Sequence, residues 1–243
     1  MLHTIGMILY VAGYLLVNLP ALLKAKLLEK DPIKHEAYCR KKIVNFCRRC
    51  IKVMGMKLEM RGLENIPDRA TLTAYSHQSL LDAFPLIAHM PNTQSMVAKK
   101  ELETAPLLAS WMKAGKCIFI DRSSARAGMK CIMQGVELLK NNINVTIAPE
   151  GTRNDGKELL EFKGGAFMMA TKSGAPILPV AIEGTNRMFE GNGKRLRKGR
   201  VILSVLPPIE TANLTRPEEK ALPERVRAII SEEQMKLKGE LYQ

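Results

Sequence analysis

The first 23 residues of the chain contain no Asp, Glu, Lys or Arg. As a single helix this segment would be about 34 Å long, close to the roughly 30 Å hydrocarbon core of a bilayer. It lacks the basic start and the cleavage site of a signal peptide, so we interpret it as a retained membrane segment. Asn18 and Pro20 disfavour a continuous helix, so a hairpin entering one leaflet is an alternative. A buried helix of a globular domain is another.

A second pattern, centred on Ile43, places apolar and basic residues on opposite sides of a helix. The apolar side carries Val44, Phe46, Cys47, Cys50, Ile51, Val53 and Met54, and the far side carries Lys41, Arg48, Arg49 and Lys52. Such a helix either lies on an anionic bilayer or packs its apolar side against the rest of the protein. We therefore expect membrane-associating N-terminal helices in residues 1–54 and one folded domain in residues 55–243.

Beyond Gly55, short apolar runs alternate with helical patterns. Strands are predicted at Met56–Met60, Ala70–Tyr75, Ser95–Ala98, Cys117–Ile120, Asn144–Ala148, Pro176–Ile182 and Val201–Leu206. Helices are predicted at Leu80–His89, Pro106–Ala114, Ala125–Lys140, Gly164–Lys172 and Pro223–Lys238, the last with its proline in the first turn. The alternation predicts an α/β fold with a mostly parallel central sheet flanked by helices, behind an N-terminal membrane-associated helical element.

The charge of the chain is unevenly distributed. The net charge is +13, and residues 1–60 alone hold 11 Lys and Arg against 4 Asp and Glu, which favours an anionic membrane surface as a partner. Only 5% of residues are aromatic and no recognised nucleic-acid-binding module is present, so we expect no nucleic acid partner. The five cysteines lack the spacing of a disulfide framework, which favours a reducing compartment. Cys47 and Cys50 share the apolar side of their helix, so we predict packing there and no metal site.

The first candidate for chemistry is the segment from Ser76 to Asp82. The sequence has no Walker lysine loop, G-x-S-x-G elbow or H-E-x-x-H motif. His77 is predicted to follow a strand and Ser79 to cap the next helix, so that Asp82 leans back toward His77. A carboxylate bonded to one ring nitrogen leaves the other nitrogen as a general base. A plain helix cap, with His77 uninvolved, is the alternative.

Two charged segments follow predicted strands. Asp121 and Arg122 come directly after Cys117–Ile120, where an arginine is suited to hold a phosphate. The run 150–153, with sequence Glu-Gly-Thr-Arg, follows the strand predicted at Asn144–Ala148, and a glycine in its second position permits a tight turn that brings Glu and Arg into one site. Surface ion pairs are the alternative for both segments. A fourth, wholly apolar segment is predicted to shape a pocket wall with Pro179 and Val180.

Taken together, these segments resemble the glycerolipid acyltransferases. The family's H-x4-D block matches His77 and Asp82, its F-I-D-R block matches Phe119–Arg122, its E-G-T-R block matches Glu150–Arg153, and its proline–valine block matches Pro179 and Val180. The family's lysine after the short strand that follows the histidine block corresponds to Lys99. Order and spacing agree over residues 70–185, although Ser76 stands where the family usually has Asn and Ala148 where Phe is common.

Lys24, Lys26 and Lys30 directly follow the apolar segment and predict that the body of the protein lies at the cytoplasmic face of the cell membrane. The resemblance implies an acyltransferase, and we expect no cofactor. His77, held by Asp82, would take the proton of the free hydroxyl of a lysophosphatidic acid, which then attacks an acyl thioester on acyl carrier protein or coenzyme A to give phosphatidic acid. The residues implied to bind the glycerol phosphate are Lys99, Arg122, Glu150, Gly151, Thr152 and Arg153. The alternatives are acylation of glycerol 3-phosphate or another lysophospholipid, a hydrolase, and a non-catalytic basic lipid-binding protein.

Overall fold

The computed structural model describes residues 1–90, 94–121 and 124–242. Its helices are α1 (Leu2–Val17), α2 (Leu19–Leu27), α3 (Pro32–Met54), α4 (Ala83–His89), α5 (Leu108–Ala114), α6 (Ala125–Lys140), α7 (Gly164–Ser173), α8 (Thr185–Met188) and α9 (Arg216–Tyr242). Its strands are β1 (Met56–Arg61), β2 (Leu72–Tyr75), β3 (Gln94–Lys99), β4 (Ile118–Ile120), β5 (Asn144–Ile147), β6 (Ile177–Glu183) and β7 (Gly199–Val205). Short 3-10 turns at Leu80–Asp82 and Glu190–Asn192 adjoin α4 and α8.

The described strands form one sheet in the order β1-β7-β6-β2-β5-β3-β4. Neighbouring strands run parallel except β6 and β7, which are antiparallel. The prediction of a mostly parallel α/β sheet is therefore confirmed. Because β6, β2, β5 and β3 are neighbours and all run the same way, the turns that follow their carboxyl ends meet at one edge of the sheet, where ligands bind in folds of this kind.

The sheet is buried on both faces, and β6 shows how one strand serves both. Ile177 and Ala181 belong to a core cluster that includes residues of α6, α7 and α9, whereas Leu178, Val180 and Ile182 belong to a second cluster that includes residues of α3 and α4. Successive side chains of a strand point to opposite faces, so an unbroken apolar run is what a doubly covered strand requires. The molecule is thus layered as helices, sheet, helices.

The N-terminal apolar segment is broken into two helices. α1 ends at Val17 and α2 begins at Leu19, next to Pro20, so the segment 1–23 is not one straight helix. Of the described helices, none alone is long and apolar enough to cross a bilayer; α1 together with residues 19–30 passes that test as a pair bent by 46°. No residue of α1 is buried, and large apolar side chains such as Leu2 and Leu9 are exposed.

The amphipathic helix predicted around Ile43 is part of α3, and its apolar side packs on the protein. Cys47, Cys50 and Met54 are buried in the cluster on one face of the sheet, and Ile51 is buried beside them. This packing favours the second interpretation of the pattern, a helix that covers the sheet, for the carboxyl-terminal half of α3. The helix ends at Gly55, which adopts a left-handed conformation that glycine tolerates without strain.

The last helix starts earlier than the sequence pattern predicted. α9 begins at Arg216, so Pro223 lies inside the helix and the prediction that it occupies the first turn is wrong. The true start is fixed by Thr215 and Glu218, because the Glu218 carboxylate accepts hydrogen bonds from the Thr215 backbone N–H at 2.7 Å and from its hydroxyl at 2.6 Å. A Thr followed three residues later by Glu is a recognised signal for a helix N-terminus.

Candidate active site

His77 lies in the turn after β2 and is held by the turn that starts the next helix. Its Nδ1 lies 3.0 Å from Oδ2 of Asp82, as predicted. Ser79 caps the turn, accepting a hydrogen bond from the Leu81 backbone N–H at 3.1 Å, and Asp82 accepts one in return from the Ser79 N–H at 2.9 Å. The reciprocal cap and the His–Asp contact are therefore the same structure, since the capping carboxylate is the one that reaches His77.

The hydrogen bonds around Asp82 determine which nitrogen of His77 is free. Oδ2 of Asp82 also accepts from the backbone N–H groups of Gln78 and Ser79, both at 2.9 Å, so this oxygen acts as an acceptor. His77 Nδ1 must then carry the donated proton, and Nε2 is left with an unprotonated lone pair in the neutral ring. Asp82 is fully buried, whereas about a quarter of the His77 side chain is exposed. The geometry is that of a general base oriented by a carboxylate.

Glu150, in the turn after β5, holds the backbone of His77. Its Oε1 accepts from the His77 N–H at 2.8 Å, and its Oε2 accepts from the Leu160 N–H at 2.9 Å. The Asn154 amide bonds both oxygens at 3.0 and 3.1 Å, while the Asn154 N–H bonds the His77 carbonyl at 2.9 Å. Burial raises the pKa of the Glu150 carboxyl, and these bonds counter that effect. The contacts favour a positioning role for Glu150 over direct contact with an acceptor.

The cations and turn residues that the sequence predicted at the site, Lys99, Gly151, Thr152 and Arg153, line one cavity. Gly151 makes a tight turn with a φ of 75°, and Thr152 and Arg153 follow it on the exposed side. Lys99, at the end of β3, is exposed on the same cavity, which His77 also lines. The structure therefore brings together Lys99, the 150–153 turn and His77. Arg122, predicted to hold phosphate, lies outside the described residues; its neighbour Asp121 forms an ion pair with Lys100 at 2.6 Å.

The cavity beside His77 is large and mostly apolar. Its volume is about 1170 Å³, above the range of roughly 300–1,000 Å³ of ordinary small-molecule pockets. It extends from the strand ends to the N-terminal helices, and its apolar lining includes Val11, Phe46, Phe84, Trp111 and Met169. A cavity of this kind suits a ligand with a long apolar body and a polar end near His77.

Comparison with known proteins fits this geometry. The model of the family described as Acyltransferase matches residues 57–183, which include the histidine, the acidic partner and the 150–153 turn. The chain belongs to the acyltransferase family. It is 33% identical over 178 residues to the 1-acyl-sn-glycerol-3-phosphate acyltransferase of Saccharomyces cerevisiae and 34% identical over 177 residues to the alpha form of Homo sapiens. These matches cover 72% and 71% of this chain but 59% and 62% of the two relatives, so the chain spans about 60% of their length.

A shorter relative and a solved structure match over more of their length. A protein of Mycoplasma pneumoniae named as a probable 1-acyl-sn-glycerol-3-phosphate acyltransferase is 30% identical over 206 residues, covering 82% of this chain and 77% of that protein. The crystal structure of the 1-acyl-sn-glycerophosphate acyltransferase of Thermotoga maritima superposes with a TM-score of 0.81 at 27% identity, covering 98% of this chain and 95% of the other. The fold similarity therefore includes the N-terminal helices.

Thr185 is a residue of the His77 site that sequence reasoning missed. Its hydroxyl donates to Oδ1 of Asp82 at 2.6 Å, so both oxygens of that buried carboxylate are bonded. Thr185 begins α8 directly after β6, which ends at Glu183. The signal that could have found it was its position, because it follows an apolar strand just as His77 and Glu150 do.

Glu190 was also missed, and it connects two of the matched blocks. Its carboxylate accepts from the Ser79 hydroxyl at 2.5 Å and from the Leu80 N–H at 2.9 Å, and it forms an ion pair with Arg153 at 2.6 Å. The Arg153 guanidinium is thereby fixed beside the turn that carries His77. Glu190 lies in a loop with no motif of its own, so nothing in the sequence pattern distinguished it.

Lys163 is a further cation of the cavity wall, beside the 150–153 turn. Its side chain lies over Gly151, such that a Cβ placed on that glycine would be 3.0 Å from Lys163 Nζ. The Lys163 N–H also bonds the Pro149 carbonyl at 3.0 Å, which ties the start of α7 to the turn after β5. Lys99, Arg153 and Lys163 thus line the cavity together with His77.

Pro179 and Val180 lie in the sheet and not at the cavity. Both are buried in β6, where they pair with Ala74 and Tyr75 of β2. Neither is among the described residues that line the cavity. They support the neighbouring strand β2, which leads into His77, and do not form the expected pocket wall. The expectation arose because a strand that is buried on both faces and a pocket lining have the same apolar sequence pattern.

The two buried cysteines of α3, Cys47 and Cys50, are unsuited to act as nucleophiles. Burial raises the pKa of the Cys50 thiol to about 12 and raises that of Cys47 as well. A thiol attacks as the thiolate, so both groups stay in their unreactive form at neutral pH. Among the described residues no group of three or more His, Cys, Asp or Glu is placed to hold a metal ion.

Proposed function

We propose that this protein transfers a fatty acyl group from an acyl thioester to the sn-2 hydroxyl of 1-acyl-glycerol 3-phosphate, forming phosphatidic acid. The observation that carries the proposal is the His77–Asp82 pair, 3.0 Å apart, on the wall of a large apolar cavity that also bears cations. The names of the relatives from yeast, human and Mycoplasma pneumoniae support the choice of acceptor.

In the proposed reaction His77 Nε2 takes the proton of the acceptor's free hydroxyl. The alkoxide oxygen forms a bond to the thioester carbonyl carbon, giving a tetrahedral intermediate. That intermediate collapses with cleavage of the carbon–sulfur bond, and the proton held by His77 passes to the departing thiolate. Asp82 stabilises the imidazolium between the two proton transfers, as a carboxylate does in related base–carboxylate pairs. No covalent acyl-enzyme is required.

The cavity and its cations supply the binding. The apolar interior accommodates acyl chains, because burying each methylene group contributes about 0.8 kcal/mol of favourable binding free energy. Lys99 and Arg153, with Lys163 beside them, hold the phosphate of the acceptor, Arg153 through the two parallel hydrogen bonds that a guanidinium offers. Thr152 lies on the same rim, and Gly151 makes the turn that presents both residues. We assign Glu150 to holding the His77 backbone, since its oxygens are occupied.

The proposed place of reaction is the cytoplasmic side of the cell membrane. Three features support entry of α1 and α2 into the bilayer. They are the exposed apolar side chains of α1, the bent α1–α2 pair, and the basic residues that follow the pair. Phospholipid acceptors partition into that layer, so α1, which also lines the cavity, brings the opening close to the substrate. The donor is acyl carrier protein or coenzyme A bearing the acyl chain.

Replacement of His77 by alanine tests the proposal. We expect turnover of a labelled acyl thioester with 1-acyl-glycerol 3-phosphate to fall about 10²–10⁴-fold, the usual contribution of a general base. Glycerol 3-phosphate and other lysophospholipids, assayed beside it with both donors, identify the preferred acceptor and donor. The matched control is His89→Ala, a second histidine at the end of α4 that has no place in the proposed site. Undiminished transfer by His77→Ala would contradict the mechanism.

A further inference from the structure

A second, smaller cavity, apart from the one that contains His77, is lined by residues of α8, the start of β7 and the end of α9. Its volume is about 130 Å³, and among the described residues the two cavities share no lining residue. The polar part of its lining is made by Arg187, Arg197, Lys198, Arg200 and Tyr242. The basic run of residues 194–200, which leads into β7, therefore contributes three charges, those of Arg197, Lys198 and Arg200, to one partly open cavity.

Among the residues that the structure describes, three of the four cations form no ion pair with a carboxylate. Arg200 forms an ion pair with Glu59 at 2.9 Å. Arg187, Arg197 and Lys198 make no ion pair with a carboxylate within residues 1–90, 94–121 and 124–242. Like charges gathered around a cavity repel one another and attract a compensating anion.

The cations are held in place by the fold. The Arg187 guanidinium lies 3.4 Å from the centre of the Tyr242 ring, a cation–π contact that fixes its plane. The Arg197 Nε donates to the Arg187 carbonyl at 2.7 Å, and the Arg197 N–H donates to the Met188 carbonyl at 2.9 Å. The stem of Lys198 packs against Gly55. These contacts position the cations of this part of the basic run, while their side chains stay exposed to solvent.

The small size and the cationic lining of the cavity suit a compact anion. A volume of about 130 Å³, open on one side, has room for one tetrahedral phosphate group among the cations. Guanidinium groups bind phosphate with paired, charge-assisted hydrogen bonds, and Lys198 adds a point charge. The rest of a phosphate ester would extend through the open side of the cavity.

We propose that this cavity is a second anion site, which binds the phosphate group of a phosphomonoester through Arg187, Arg197 and Lys198. It is separate from the site proposed for the acceptor and does not depend on the acyltransferase reaction. Its floor is connected to the turn that carries His77, because the Tyr242 hydroxyl donates to Glu183 at 2.7 Å and Glu183 accepts from Gln78 at 2.7 Å. The phosphate belongs either to a membrane lipid or to a soluble molecule.

Equilibrium dialysis of the full chain in neutral detergent against radiolabelled inorganic phosphate tests the site. The double variant Arg197→Gln, Lys198→Gln keeps the side-chain stems, and we expect it to lose one equivalent of bound phosphate or to bind it at least tenfold more weakly. Arg187→Gln, which leaves the Gly55 contact intact, should do the same. The control Lys220→Ala, Arg225→Ala removes equal charge from exposed positions of α9 and should bind as the wild type does. Unchanged phosphate binding by both site variants would overturn the proposal.

A second pair of variants separates this site from the proposed acceptor site. The double variant Lys99→Ala, Arg153→Ala removes two cations of the cavity that contains His77. Phosphate bound in that cavity would be lost in this double variant and retained in the Arg197→Gln, Lys198→Gln variant. If that variant alone loses phosphate, the second anion site is refuted while the proposed function stands. If only the Arg197→Gln, Lys198→Gln variant loses phosphate, the second anion site is supported. The proposal that Lys99 and Arg153 bind the acceptor's phosphate is then contradicted.

Vesicle binding then distinguishes the two sources of phosphate. Vesicles of a neutral lipid with phosphatidic acid, which bears a phosphomonoester, are compared with vesicles of equal charge made with phosphatidylglycerol, which bears a diester. A lipid ligand predicts that the Arg197, Lys198 variant loses at least tenfold in affinity for the first vesicles and much less for the second. Equal small losses on both, together with the lost phosphate equivalent, assign the site to a soluble phosphomonoester.

Discussion

The two kinds of charged group around His77 are held in opposite ways. Asp82 and Glu150 are buried carboxylates, and their oxygens receive hydrogen bonds from backbone, hydroxyl and amide donors. Lys99 and Arg153 are exposed at the cavity and keep donors available. The difference separates two tasks: the base is oriented when the chain folds, whereas the cations stay free to exchange water for phosphate. Changes to the first group should lower kcat, and changes to the second should raise KM.

Among the changes to groups that surround His77, Asp82→Asn should have the largest effect. An asparagine can keep its oxygen toward His77 and turn its amide toward Thr185, whose hydroxyl can accept, so the hydrogen bonds survive while the charge is lost. Without that charge the imidazolium formed during proton transfer is not stabilised, and we expect kcat to fall about 10²–10³-fold. Steady-state kinetics with purified protein measure this. A kcat within twofold of wild type would show that orienting His77 is sufficient for catalysis and that the charge of Asp82 is not needed.

Glu150→Gln tests whether the second carboxylate acts only through position. The two oxygens accept hydrogen bonds from His77, Leu160 and Asn154. The glutamine NH2 group, in place of either oxygen, would face these N–H donors and could not accept from them. We expect a loss of about 1–3 kcal/mol in the free energy of unfolding and a kcat about ten- to a hundredfold lower. The KM for the acceptor should stay within twofold, which thermal unfolding and kinetics check together. A raised KM with normal kcat would instead place Glu150 in contact with the acceptor.

Arg153→Ala should act on the other side of the comparison. The Arg153 side chain is 40% exposed and its guanidinium is ion-paired with Glu190. We expect its removal to raise the KM for 1-acyl-glycerol 3-phosphate about tenfold or more with little change in kcat. Added salt should raise the wild-type KM toward that of the variant, since exposed charges are screened. Arg225→Ala, an exposed arginine of α9, is the control and should change neither. A kcat defect without a KM defect would count against phosphate binding.

Much of the fold and part of the site followed from local sequence signals. The strands were found because apolar runs of four to seven residues alternate with helical periods, and the His77–Asp82 pair was found because a capping box fixes its own geometry. The break in the N-terminal segment was anticipated only as an alternative, from Asn18 and Pro20. The start of α9 was missed because Pro223 was given more weight than the Thr215–Glu218 cap.

The residues that were missed reach the site through tertiary contacts. Thr185 is 103 positions from Asp82, and Glu190 is 111 positions from Ser79 and 37 from Arg153. Only the sheet order, which places β6 beside β2, brings them there. That order is not encoded in any one segment. Pro179 and Val180 show the converse case, a matched block whose contribution is to the sheet.

Thr185→Val should produce a smaller effect on the buried side. Valine has nearly the shape of threonine but cannot donate to Oδ1 of Asp82, so one of that carboxylate's hydrogen bonds is lost. A single such bond contributes about 1–2 kcal/mol, and we expect kcat to fall roughly three- to tenfold. Thr185→Ser retains the hydroxyl and should restore most of the activity. Failure of the serine variant to do better than valine would show that packing, and not the bond, is responsible.

The smallest effect separates turn geometry from the cation beside it. Gly151 and Gly174 have nearly the same left-handed backbone, with φ of 75° and 74°, but a Cβ on Gly151 would meet Lys163 whereas one on Gly174 would meet nothing within 4 Å. Alanine at either position should lower the free energy of unfolding by about 1–2 kcal/mol, the cost of that backbone conformation. Only Gly151→Ala displaces the Lys163 side chain, so only it should raise the KM for the acceptor, by a few-fold. Equal KM values in the two variants would mean that Lys163 does not contribute to binding, because the backbone strain is matched and the displaced cation is the remaining difference.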